Sequence, residues 1–322
     1  MTLAGYPYAE KVSPGAVFLL MLLLPILGFG QKDPYDGLLE AIWLDSLTIT
    51  AKKQGFDVEQ FIVMVREDTS FLHAFRNLRT VPHRSRHEQD FSLKKGKAET
   101  YYRAETRLID AGICREMQFL REDMSRDYRK KNGDRKYITA KLYEKVFFPQ
   151  GSLCAEDERA EHAKQDGIIA YYYQELKRFI FQPGERASIP LIGGKTALFS
   201  ERMRKFYRYG IVMKNFSDGT PCYVFTLKVR DEHAERKSGR TLVKFMETYF
   251  SRKDFQVMGR TYDVSHPGPL FSCDIHVEVV LRQLGKQSYI PDMVAYAGTW
   301  DIPGRKRETG RFKMTLLEIA PD

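Results

Sequence analysis

From Pro221 to Ile319, apolar residues recur at every second position in short runs bounded by Gly, Pro, Asp or charged turns. This is the pattern of half-buried antiparallel strands. The runs are PCYVFTLKVR, LVKFMETYFSRKDFQVMGRTYDV, CDIHVEVVLR, DMVAYAGTWDI and RFKMTLLEI. In the first, Tyr223, Phe225, Leu227 and Val229 fall on one face, while Thr226, Lys228 and Arg230 fall on the other. One face is dry and one is wet. A sheet of this kind must cover its dry face with a helix, a second sheet or an apolar ligand.

The chain before it alternates between helical and extended periods. Tyr35 to Gln54 reads as a first helix, with Leu38, Leu39 and Ile42 along one stripe and Gly55 as its end. Asp57 with Gln60 three residues later, and Phe56 just outside, forms a capping box and staple. These predict a second helix through Phe61, Ile62 and Val65, and a third short one carries Phe71, Leu72, Phe75 and Leu78 before Val81-Pro82 breaks it. From His83 to about Gly151 the pattern turns to strands separated by charged turns, one at Lys94 to Lys97 and one at Asn132-Gly133. Ile113 to Leu120 and Tyr137 to Phe148 are the two strands expected around the second turn. Glu156 to Phe181 returns to helix, with Ile168, Ile169, Tyr172, Leu176 and Phe179 on one broad face and Gln182-Pro183-Gly184 as the stop. That helix is the expected cover for the C-terminal sheet. Ser200 and Glu201 open one further short helix.

A chain of 322 residues that is 43% hydrophobic and 13% aromatic has ample material for a core. Its 21 Phe and 18 Tyr against 2 Trp suit a β-rich protein. The run Ala16 to Gly30 is apolar and uncharged, short for a bilayer span, and ends on Gly28 and Gly30 before Gln31. These are the marks of a cleavable signal peptide cut after Gly30. They predict an exported, soluble chain, periplasmic or secreted, with no transmembrane segment left after cleavage. The net charge of +9 survives that cut, because Glu10 and Lys11 cancel. In an exported protein such a balance points to anionic lipid head groups or acidic glycans, not to nucleic acid. Four Cys residues allow up to two disulfides with three connectivities. Cys222 and Cys273 both begin expected strands, so a bridge between them is sterically feasible.

Candidate chemistry is sparse. PLIGGKT contains Gly-Lys-Thr, but Ile189 stands where a phosphate-cradling loop needs its first Gly, so the segment reads as a turn between strands. His83, His87 and Glu88 lie together in HRSRHEQD, without HExxH and among arginines that repel a cation, so a surface loop is expected there. His233, His266 and His276 are isolated, with His276 on the wet face of its strand. No GxSxG elbow occurs. No catalytic residue, metal site or cofactor is expected, although paired carboxylates meeting through the fold would escape a reading of spacing. Basic clusters at Arg129 to Lys131 with Arg135 and Lys136, and at Arg305 to Arg307 with Arg311 and Lys313, read as solvated turns. The sharper alternative is a docking surface for anionic lipid or an envelope partner.

The succession DGTPCYVFTLKV (Asp218 to Val229), METYFSRKDFQVMGRTYDV (Met246 to Val264), DIHVEVVLRQLGKQSYIPDMVAYAGTWDI (Asp274 to Ile302) and RFKMTLLEI resembles the outer-membrane lipoprotein-sorting, or LolA-like, superfamily. Its turn from Gly285 to Pro291 is two residues longer than the superfamily pattern. The whole chain, including Phe56 to Thr80, also looks like an uncharacterised group of exported proteins from Bacteroidetes. The resemblance implies an α+β fold in which an antiparallel sheet curves into an incomplete barrel covered by helices. That resemblance covers roughly the last 110 residues and the helix before them; with the residue pattern it divides the chain into a signal peptide (1–30), N-terminal helices with a β-ribbon (31–155) and a helix plus antiparallel half-barrel (156–322), with a single body under an N-terminal helical cap as the equal alternative to two domains. In true carriers the concave face holds acyl chains. Here Tyr223, Phe225, Leu227, Val277, Val279 and Tyr296 would line that face and hold a lipid, acylated or other hydrophobic ligand. Packing against the helix Gly167 to Phe181 is the plainer role for each of them. A non-enzymatic scaffolding component of an outer-membrane or surface assembly is the alternative function. A hydrolase of envelope glycans has only the exported location behind it.

Overall fold

The computed structural model describes residues 58–93, 100–112, 114–148, 153–154, 184, 186–187, 193–233, 239–268, 272–286 and 288–320. The expected signal peptide, the first helix, the Asp57 cap and the helix Glu156 to Phe181 lie outside them. In chain order the elements begin with helices α1 (Val58–Glu67) and α2 (Ser70–Thr80), then strands β1 (His83–Ser92), β2 (Thr100–Ala111) and β3 (Cys114–Met124). Helix α3 (Ile138–Phe147) and the two-residue β4 (Leu153–Cys154) follow, then the single helical turns α4 (Gly193–Thr196) and α5 (Glu201–Arg204). The rest is a run of seven strands: β5 (Tyr207–Asn215), β6 (Pro221–Val229), β7 (Val243–Ser251), β8 (Val257–His266), β9 (Ser272–Leu284), β10 (Ser288–Asp301) and β11 (Glu308–Ile319). No helix among the described residues is long and apolar enough to cross a membrane.

All eleven strands join one antiparallel sheet in the order β4-β3-β2-β1-β11-β10-β9-β8-β7-β6-β5. Every neighbour in it is also a neighbour in sequence except one pair, β1 with β11, which runs from His83 opposite Ile319 to Ser92 opposite Thr309. The residues expected as a separate β-ribbon thus share hydrogen bonds with the last strand of the chain. The outermost strands, β4 and β5, do not pair with each other, so the sheet is an open, incomplete barrel.

The inner face of the sheet carries most of the core, while at β6 the other face is buried too, with Cys222 and Val224 at 0% exposure and Thr226, expected to be wet, at 4%. Because antiparallel partners point to the same side, a single row can be followed across eight strands: Leu227, Met246, Tyr262, Val277, Tyr296, Phe312, Gln89 and Tyr102. Helices α1, α2 and α3 lie on this inner face. Phe61 of α1 meets the Phe225 and Phe250 rings, Phe71 of α2 lies over the Arg260 guanidinium, and Tyr143 of α3 meets the His87 and Phe312 rings.

Three expectations are corrected. Tyr137 to Phe148 forms α3 and not a strand, since Thr139, Ala140, Tyr143 and Phe147 are buried at helical spacing. Its start is held from outside the segment: the buried Glu308 carboxylate accepts the Ile138 and Thr139 backbone N–H groups at 2.8 and 2.9 Å, meeting the positive end of the helix. HRSRHEQD is strand β1 and not a surface loop, with His83, Ser85, His87 and Gln89 turned into the core. Cys222 and Cys273 are buried free thiols and not a disulfide. They sit on β6 and β9 with two strands between them, roughly 14 Å along the sheet at the usual strand spacing, too far for a bridge. Cys114 is the disulfide-bonded cysteine, and its backbone partner in the sheet is Cys154.

Glu308→Ala leaves two first-turn N–H groups of α3 without their acceptor and should cost about 2 kcal/mol. A urea titration reads the loss, and amide exchange at Ile138 and Thr139 should speed up ahead of the sheet.

Candidate functional site: the covered inner face

The register brings all six expected site residues onto the inner face. Leu227, Val277 and Tyr296 belong to the row traced above. Phe225 and Val279 belong to the next, which runs Phe225, Thr248, Arg260, Val279, Val294, Met314, His87 and Ala104. Tyr223 lies one step further along β6, opposite Phe250. Phe225 and Leu227 are 0% exposed and Val279 is 2% exposed, whereas Tyr223, Val277 and Tyr296 are half-buried.

Aromatic rings make the cover over β6. Phe61 packs edge-on against Tyr223 at 6.1 Å and Phe250 at 5.8 Å between centroids. Tyr223 also stacks on Phe255, 5.5 Å away and 13° from parallel. Phe255 takes φ 57, a left-handed conformation costing a phenylalanine roughly 1–2 kcal/mol, which the Tyr223 stack and the Phe61 contact offset. At the other end of the face, Tyr296 stacks on Phe312 at 4.7 Å and accepts the Trp300 indole N–H at 2.7 Å. Its ring lies over Gly298, where any Cβ would collide with it. Two of the six expected residues, Tyr223 and Phe225, therefore lie beneath an α1 side chain, and Tyr296 is tied into a cluster of its own.

Sequence reasoning missed the polar groups set into this face. Arg260, 1% exposed, donates from Nε to Thr248 Oγ1 at 3.0 Å and from Nη1 to the Tyr262 hydroxyl at 3.1 Å, with Nη2 3.8 Å from Asp68 Oδ2. Asp68, between α1 and α2, also accepts the Ser70 N–H at 3.1 Å and the Ser70 hydroxyl at 2.6 Å, so one carboxylate starts α2 and faces the buried cation. On β1, the His87 ring nitrogens meet the Tyr143 hydroxyl at 2.7 Å and Thr106 Oγ1 at 2.8 Å. Burial, with a smaller contribution from His83, pushes the His87 pKa down to about 3. Burial likewise raises the Cys273 thiol to about 12, so it is no nucleophile at neutral pH. His276 is exposed on the outer face with its Nδ1 2.7 Å from Asp263, and PLIGGKT ends in the helical turn α4, where Thr196 accepts the Ala187 N–H and donates to the Gly193 carbonyl. The only alternation at Arg260 is GRTYDV, in which a charged residue reads as wet, so no sequence signal marks it as buried.

A polar cleft of about 460 Å³ opens at the edge of the cover, lined by Asp68, Ser70, His73, Asn77, Asp254 and Ser288 among others. Its carboxylates have work already: Glu67 pairs with Arg66, Asp68 starts α2, and Asp254 accepts the Gln256 N–H of its own turn. Among the described residues no three His, Cys, Asp or Glu side chains converge as a metal site would require.

Fold and site define an open antiparallel barrel of the α+β class whose dry inner face lies beneath helices. Neither a family model nor a curated protein matches the chain. Among solved structures, a proposed outer membrane lipoprotein-sorting protein domain from Vibrio parahaemolyticus is similar at TM-score 0.24 and 6% identity, covering 78% of this chain and 93% of that one. A DUF1329 family protein from Desulfovibrio piger is similar at TM-score 0.22 and 11% identity, covering 76% and 90%. TM-scores this low add nothing to what the strand register establishes on its own.

Asp68→Asn leaves Arg260 as a buried charge without its counter-ion and weakens the α2 start. We expect a loss of about 3 kcal/mol by urea unfolding. His87 stays neutral in the fold, while the unfolded chain takes up that proton near the ordinary value of 6.5. Stability should be unaffected by this group above about pH 6.5 and fall by roughly 1.4 kcal/mol per pH unit from there towards about pH 3. Denaturation midpoints followed against pH should show that slope in the wild type and lose it in His87→Gln.

Proposed function

We propose that the chain is an exported, non-enzymatic binding protein that takes a lipid, acylated or otherwise apolar ligand onto the inner face around Tyr223, Phe225, Leu227, Val277, Val279 and Tyr296, with α1 lying there when no ligand is bound. The observation that carries this reading is the unbroken apolar row from Leu227 to Phe312, six strands wide, beside which the α1 cover on β6 consists of ring contacts from Phe61. An acyl chain laid along it would gain about 25 cal/mol for each Å² taken from water. The open edges at β4 and β5 allow the sheet to spread as the helix lifts. A second reading, a scaffolding component with a permanently filled barrel, is favoured by the full burial of Phe225 and Leu227.

Native mass spectrometry of the full chain purified from its own envelope fraction, followed by lipid extraction, separates the two. A carrier retains a mass that extracts as lipid or acylated peptide. Phe61→Ala should raise uptake of a fluorescent fatty acid severalfold while costing about 3–5 kcal/mol of stability, and Val279→Lys should abolish uptake. A clean apo mass with no uptake by Phe61→Ala sinks the carrier reading and supports the scaffold.

A further inference from the structure

Two basic runs far apart in the chain are fastened together at one end of the sheet. Arg305, Lys306 and Arg307 form the exposed tip of the β10–β11 hairpin, where Gly304 takes φ 77 and the Arg305 N–H donates to the Ile302 carbonyl at 3.0 Å. Lys130, Lys131 and Lys136 are exposed on the loop after β3, which closes on itself through Lys130 N–H to Asp134 O at 2.8 Å and Gly133 N–H to Lys130 O at 2.9 Å. Glu308, next to Arg307, accepts the N–H of Ile138, two residues after Lys136 and 170 residues from Glu308 in sequence. The bond that starts α3 therefore also sets one basic tip beside the other.

The charge there is not neutralised by neighbours. None of Lys130, Lys131, Lys136, Arg305, Lys306 and Arg307 makes an ion pair with a described residue. The exposed carboxylates on these two tips are Asp127, Asp134 and Asp301, of which Asp134 is engaged by the Asn132 amide. Arg135 belongs to the same run but turns inward, stacked on Tyr102 and Tyr128 and paired with Glu144 at 3.1 Å, so it stiffens the loop and adds nothing to its surface. We propose that this end of the sheet docks on an anionic lipid bilayer, with the six basic side chains against the head groups. Two protruding tips suit a flat layer of charge. A nucleic-acid strand needs aromatic faces to stack on, and the neighbouring Tyr128 and Tyr137 are buried. This inference stands on the two tips alone and does not depend on what the inner face holds.

The test is co-sedimentation of the full chain with phosphatidylcholine vesicles and with vesicles of equal parts phosphatidylcholine and phosphatidylglycerol, at low and high salt. The protein should pellet with the anionic vesicles only, and salt should release it. Each basic residue near an anionic surface contributes about fivefold, so Arg305→Gln/Lys306→Gln/Arg307→Gln should bind roughly a hundredfold more weakly. Arg76→Gln/Lys253→Gln/Lys286→Gln removes equal charge from the opposite end, where α2 meets the turns before β8 and β10, and should lose severalfold at most. Equal losses in the two variants, wild-type protein that ignores anionic vesicles, or binding to a single-stranded oligonucleotide without vesicle binding would each overturn the proposal.

Discussion

The pairing of β1 with β11 is the constraint on which the rest of this structure depends. Every other strand pair joins neighbours in sequence, mostly through short turns, and closes at small entropic cost. β1 and β11 are separated by most of the described chain, and their ladder alone turns two meanders into one sheet. It also brings Phe312 and Met314 opposite Gln89 and His87, which is what places α3 over the joint. Glu308 at the start of β11 then reaches back to start α3, so the long-range ladder and the helix above it stabilise each other.

The inner face is dry but not uniformly apolar. Arg260 sits in a row between Thr248 and Val279, and His87 between Met314 and Ala104. Each is costly to bury alone, and each is met by a partner from the covering layer: Asp68 beside α2 for Arg260, and Tyr143 of α3 for His87. These pairings fix where helices sit in a way apolar contact cannot, because hydrophobic burial has no direction. Over Phe225 the contacts are between rings, from Phe61 of α1 and from Phe199, and the α1 ion pair from Glu59 to Arg204 at 2.7 Å is exposed. That difference makes α1 the element of the cover most easily given up.

Much of the fold and of the candidate face was readable from local pattern. The strands from Pro221 onward, the second and third expected helices, and the common face of Tyr223, Phe225 and Leu227 follow from periods of two and 3.6, which depend only on backbone geometry. The same rule misread β1, because its buried positions are His83, Ser85, His87 and Gln89, polar residues, and the Tyr143 and Tyr128 hydroxyls that meet His87 and Gln89 come from a later segment. It misread Tyr137 to Phe148 because a short aromatic run satisfies either period, and the deciding cap, Glu308, lies 170 residues from Ile138.

The sequence by itself determined which stretches from Pro221 onward alternate, that Tyr223, Phe225 and Leu227 share one face, and that basic residues crowd certain turns, since these are properties of adjacent residues. Only the tertiary structure decided that β1 joins β11, that Cys222 and Cys273 stand two strands apart, that Arg260 is buried opposite Asp68, and that the two basic tips lie side by side. Each of these rests on contacts between residues remote in the chain, whose free energy exists only once the intervening chain has been ordered.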